Sequence, residues 1–138
     1  MLDKVIQTIP YESQRYQTCG DYYKTQDGKT HFKINDMGNE DYEFLVSIHE
    51  QIEEHLTRTR GLTEPEIPAF DLAWEKEDHS PGEEPGHDPR SPYHAEHVLS
   101  ENVERLIAHA MGIPWPIYEK AVNDSCDKAH PMDEQAIQ

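Results

Sequence analysis

Apolar and polar residues alternate over the first forty positions, then switch to three- and four-residue spacing. The alternating stretches Gly20-Asp21-Tyr22-Tyr23-Lys24-Thr25 and Thr30-His31-Phe32-Lys33-Ile34-Asn35 flank Gln26-Asp27-Gly28-Lys29. Asp-Gly suits a tight turn that needs positive φ, so this pattern predicts an antiparallel hairpin. Lys4-Val5-Ile6-Gln7-Thr8-Ile9, stopped by Pro10, and Arg15-Tyr16-Gln17-Thr18-Cys19 are candidates for one or two further strands. The whole of 1–36 therefore reads as a β-hairpin region.

From Tyr42 the period changes. Phe44, Leu45, Ile48, Ile52 and Leu56 form one stripe of a helix over 42–58. Asp36 to Asp41 supply polar start signals, and Arg58-Thr59-Arg60-Gly61 ends the helix with cations and a glycine. A second helix over 92–111 opens on Pro92 and stops at Gly112-Ile113-Pro114, with Leu99, Val103, Leu106, Ile107 and Ala110 as its expected buried stripe. Residues 115–122 suggest a short third helix. The polar tail, 124–138, reads as frayed. Between the two main helices, 61–92 holds six of the ten prolines and is expected to be a long acidic loop; only Ala69 to Trp74 suits a short helix. The expected fold is α+β: a small antiparallel sheet packed on two main helices, in a single domain over 1–123.

Composition narrows the possible functions. The 138 residues carry 28 acidic and 12 basic side chains, a net charge of −16. The charge is uneven: residues 1–33 have five basic and four acidic residues, a net of +1, while the remainder is −17 and holds eight of the nine histidines. So acidic a chain is unsuited to direct nucleic-acid binding or to an anionic membrane surface. No apolar run approaches the roughly 18 residues of a membrane span. The start, Met1-Leu2-Asp3-Lys4, lacks the layout of a secretion signal, so a cytoplasmic setting is expected. Cys19 and Cys126 are far apart in the chain and indicate neither a thiolate metal site nor a disulfide framework.

Acid together with histidine is what a borderline divalent metal asks for. On the first helix His49 and Glu53 lie four residues apart, about 40° around the axis, beside the apolar stripe. Glu50 points about 100° away from His49, where it can act as base toward a metal-bound water. On the second helix His94, His97, Glu101 and Glu104 form a polar seam at spacings of three, four and three. If the helices run antiparallel, the two seams can face each other. His49, Glu53, His94 and His97 are then the expected ligands, with Glu101 or Asp88 in reserve. Such a set suits zinc first, and manganese or iron with open positions. His55 falls in the apolar arc with Phe44 and Ile48 and reads as a packing histidine.

His49-Glu50-Gln51-Ile52-Glu53 resembles the zincin metallopeptidase helix, His-Glu-x-x-His, at its first two positions; Glu53 stands where the second histidine would be. The resemblance implies a zinc-dependent hydrolase with Glu50 as general base. A His-Glu-x-x-Glu helix ahead of Pro92-Tyr93-His94-Ala95-Glu96-His97 is also similar to small uncharacterised bacteriophage proteins, which implies a host-cytoplasm setting and no particular activity. Helix-bundle di-metal proteins are a further comparison. They use Glu-x-x-His units on facing helices, whereas the one such unit here, Glu84 to His87, lies in the loop, and a bundle would require a homodimer.

Two functions follow. The first is a small divalent-metal-binding protein, acting as a metal-assisted hydrolase. The second is a non-enzymatic acidic protein that mimics nucleic-acid phosphates and blocks a DNA-binding partner, with Glu75, Glu77, Asp78, Glu83 and Glu84 as its functional surface. Neither the substrate nor the partner is specified by the sequence.

Overall fold

A computed structural model describes residues 1–62, 65–80 and 82–132. It is an α+β fold in which a three-stranded sheet packs against helices. Strands β1 (Lys4–Ile9), β2 (Gly20–Lys24) and β3 (Thr30–Asn35) are followed by helices α1 (Glu40–Thr59), α2 (Glu66–Glu75), α3 (His94–Ala110) and α4 (Trp115–Cys126). β3 is central: β2 pairs with it antiparallel, Gly20 opposite Ile34 and Lys24 opposite Thr30. β1 pairs on its other edge in parallel, Lys4 opposite Thr30 and Ile9 opposite Asn35. The segment Arg15 to Cys19 forms no strand. It is a bent connection, held where Arg15 forks onto Asp21 at 2.7 and 3.0 Å.

The main helices begin and end for local reasons. Asn39 caps α1, its side chain accepting from the Tyr42 N–H at 3.1 Å, with Glu40, Asp41 and Glu43 in the first turn. At the other end Gly61, at φ +86°, lets Leu62 N–H reach the Thr57 carbonyl and closes the helix. Within the proline-rich connection α2 is longer than the sequence suggests. Pro68 lies in its first turn, where a missing N–H leaves no bond unmade. The polar tail is docked rather than free as far as it is described. Tyr11 donates to the Lys128 carbonyl at 2.6 Å, its ring meets His130 edge-on at 5.0 Å, and His130 is buried.

The largest departure from the pattern concerns which faces of α1 and α3 are inside. The expected apolar stripes face outward in good part: Phe44 is 47%, Leu99 48% and Leu106 70% exposed. The polar faces are buried instead, with Val46, His49, Glu50, Glu53 and Thr57 inward on α1 and Glu96, His97, Ser100, Glu104 and Ala108 inward on α3. The helices run antiparallel, and polar groups pair across the interface in register: His49 with Glu104, His97 with Glu53, Arg60 with Glu96. These bonds offset the cost of burying the groups, which apolar neighbours could not do. His55, expected to be packed, is exposed and pairs with Arg58.

Apolar packing is left at the two ends of this polar layer. One cluster joins Ile34, Leu45, Val46, Ala108, Tyr118 and Val122; the other joins Tyr22, Phe32, Ile67 and Tyr93. Among the described residues no helix is long and apolar enough to cross a membrane.

This inversion separates two leucines of the same pattern class. Leu45→Ala is expected to cost about 2–5 kcal/mol, as for a fully enclosed leucine. Leu106→Ser should cost no more than about 0.5 kcal/mol. Urea unfolding of the two variants checks this; equal losses would contradict the burial described here.

Candidate metal centre

Three donor atoms converge between α1 and α3. His49 Nε2 lies 3.1 Å from Glu53 Oε2 and 3.2 Å from His97 Nδ1, and His97 Nδ1 lies 3.0 Å from Glu53 Oε2. The three residues are 8%, 5% and 7% exposed. Two ligands each about 2.1 Å from a common ion are about 3.0 Å apart at a right angle and about 3.4 Å apart at the tetrahedral angle. The three edges fall at or near that range, so His49, Glu53 and His97 form a buried group that could hold a metal ion.

The outward atom of each ligand is also held. His49 Nδ1 is 2.8 Å from Glu104 Oε1, and Glu104 is itself held by the Tyr118 hydroxyl. His97 Nε2 is 3.0 Å from Glu84 Oε2. Tyr22 donates to Glu53 Oε1 at 3.0 Å. When the outer ring N–H groups donate to Glu104 and Glu84, both inner nitrogens turn lone pairs toward Glu53. Carboxylates that orient histidines in this way are characteristic of metal sites. Gly86 completes the arrangement: a Cβ at this position would lie 2.3 Å from His97 Cγ, so only glycine lets the turn at Pro85–His87 sit against the ring.

The electrostatics call for positive charge at the centre. Burial alone would lower the His97 pKa, but its bonds to Glu53 and Glu84 outweigh this and raise it to about 10. Burial opposes protonation of His49 too, and is overcome by Glu104 and Glu53. Glu53 would be raised by burial, yet the two histidines hold it down at about 2. In the metal-free chain protons supply the charge that an ion would otherwise supply.

A cavity of about 470 Å³ opens beside the cluster. Glu50 lines it, makes no hydrogen bond to a described residue, and has its pKa pushed well up, first by burial and then by the Glu53 charge. Its side chain packs against the Gly20 backbone. Asp71 of α2 lines the same cavity, takes the Tyr93 hydroxyl, and is pushed by burial to about 7. Among the described lining residues there is no Lys or Arg.

His94 is not brought to the cluster. Three residues before His97, it lies about 60° around α3. Its Nδ1 is 2.9 Å from the Gly86 carbonyl, where it ties down the connection. Glu101 meets His87 at 3.0 Å, and Asp88 pairs with Arg90 at 2.8 Å. Glu104 and Glu84, the histidine partners, were not among the expected ligands. Glu104 stands on the expected polar seam of the second helix and Glu84 opens the Glu-x-x-His unit, but spacing alone does not signal that each pairs with a histidine. Nothing in the sequence points to Tyr22 or Asp71. Of the five acids proposed as a phosphate-mimicking surface, Glu77 is paired with Arg90 at 2.7 Å, Glu83 with His79 at 3.3 Å, and Glu84 with His97. No protein-family model, curated protein or solved structure matches the chain.

Asp71 provides a test by pH. Its folded pKa stands above the ordinary value of 3.8, so its favourable contribution is complete below about pH 4 and is lost as pH rises through about 7. Asp71→Asn removes that dependence. Thermal unfolding should show the variant gaining on the parent between pH 5 and pH 8; a constant difference would place the carboxyl in water.

Proposed function

We propose that the chain binds one divalent transition metal ion through His49, Glu53 and His97, and that it is a metal-assisted hydrolase with Glu50 as general base. The observation that carries this reading is the convergence of the three donor atoms within 3.2 Å, each with its far side held by another residue. Two histidines and one glutamate make up a known catalytic zinc ligand set that leaves a coordination position free. Manganese and iron(II) also accept two histidines and a carboxylate. The likeness to the zincin helix extends to His49 and Glu50. Glu53 takes the third position, and the second imidazole comes from α3 instead of α1.

An ion held by these three residues would lower the pKa of its bound water toward neutrality. Glu50 would be placed to receive the proton: it is buried, lines the cavity and lacks a hydrogen-bond partner among the described residues. The absence of Lys and Arg from the described cavity lining favours an uncharged or cationic substrate over a phosphate ester. His49 and His97 lie inside, and with Glu77, Glu83 and Glu84 of the mimic surface internally paired we prefer the metal reading to the interaction-protein one.

Protein purified without a histidine tag and loaded with zinc, manganese or iron should retain at least about one ion per chain by elemental analysis, because the site is preformed. Less than about 0.2 ion would overturn the proposal. His49→Ala combined with His97→Ala should abolish retention at this centre. Glu50→Gln should keep the ion and lower hydrolysis of an amide or ester by about 10²- to 10⁴-fold.

A further inference from the structure

We propose a second divalent-cation site directly beside the first, built from Glu84, His87 and the Nε2 of His97, with Glu101 alongside His87, so that the His97 ring bridges two ions. The inference deepens the metal reading above and rests on it, because His97 is common to both sites.

Glu84, His87 and His97 each present a ligand atom, all within 4.8 Å of one another. Glu84 Oε2 lies 3.0 Å from His97 Nε2 and 3.8 Å from His87 Nε2, and His87 Nε2 lies 3.0 Å from Glu101 Oε2. The His87 and His97 rings meet edge-on at 4.8 Å between centroids. The three nitrogen–oxygen distances fall between about 3.0 Å, for ligands at a right angle around an ion, and about 4.2 Å, for ligands opposite one another. Every contact of His87 here is through Nε2, the nitrogen a metal would take. The donors are mixed nitrogen and oxygen, Glu84 and His87 from the connection around Pro85–His87 and His97 from α3. This differs from a cluster of surface acids, in which imidazoles have no part.

The two faces of His97 make the bridge. Nδ1 belongs to the triangle with His49 and Glu53, while Nε2 faces Glu84 on the other side of the ring. When the second ion binds, the Nε2–H bond is replaced by a metal–nitrogen bond, and the proton passes to solvent buffer. No electron is transferred. A second ion would also tie the connection to α3 beside the cavity.

Native mass spectrometry and elemental analysis of the tag-free full chain, titrated with zinc, should give two ions per chain. His87→Ala should give one, with the ion at His49, Glu53 and His97 retained, and Glu101→Gln should weaken only the second by about tenfold or more. Because His87 is half exposed, its replacement is expected to leave the fold intact, and thermal unfolding of the variant checks that. Filled with copper(II), the parent should show magnetic coupling between the two ions in its electron paramagnetic resonance spectrum, and His87→Ala should show an isolated copper. One ion in both parent and variant would overturn the second site and leave the first standing. No ion in the parent would overturn both. Two ions without coupling would overturn the bridge.

Discussion

Two imidazoles and a carboxylate held within 3.2 Å of one another in a nearly dry layer form the constraint on which the rest of the molecule turns. Three groups with inward lone pairs cannot stay so close unless positive charge lies among them and their outer atoms are occupied. Much of the architecture can be derived from that requirement. Glu104 must come from α3 to meet His49, which fixes the helices as antiparallel neighbours in one register. Tyr118 must reach Glu104, which anchors α4, and Tyr22 must reach Glu53, which sets the sheet against the helices. The connection returns over His97 through Glu84 and the bare backbone of Gly86.

The cost of this layer shows in the core. A chain of this size normally gathers its apolar side chains into one cluster. Here the clusters around Leu45 and Phe32 lie at the two ends of the polar layer, and leucines such as Leu106 face outward. Natural proteins give up packing of this kind at functional sites, where the arrangement of polar groups matters more than the amount of oil removed from water.

How much of this could be read in the sequence varies from element to element. The hairpin around Asp27-Gly28 and the limits of α1 and α3 follow from turn and capping chemistry, which acts over a few residues and does not depend on tertiary context. His49, Glu53 and His97 were recognisable because helical spacing fixes which side chains share a face. The orientation of that face was not recognisable. Periodicity says that Phe44, Ile48 and Ile52 share a side of α1, but the side turned inward is decided by the partners waiting there, Glu104 and His97. The role of His94 failed for a similar reason: a histidine at the right end of the right helix can be claimed by a carbonyl, and no local pattern reveals that Gly86 lies within reach. The parallel pairing of β1 is likewise a long-range event with no local signature.

The contacts of the polar layer also join distant parts of the chain. His49 meets His97 across 48 positions and Glu104 across 55. In an unfolded chain, bringing such positions together is opposed by loop-closure entropy that grows only slowly with length, so whatever holds them together acts as a staple around the whole proline-rich connection. A covalent cross-link over a loop of this size stabilises a fold by roughly 4 kcal/mol. The same geometry makes the connection's freedom depend on the state of two imidazole rings. A segment that lines the cavity is thus tied to the two rings beside it.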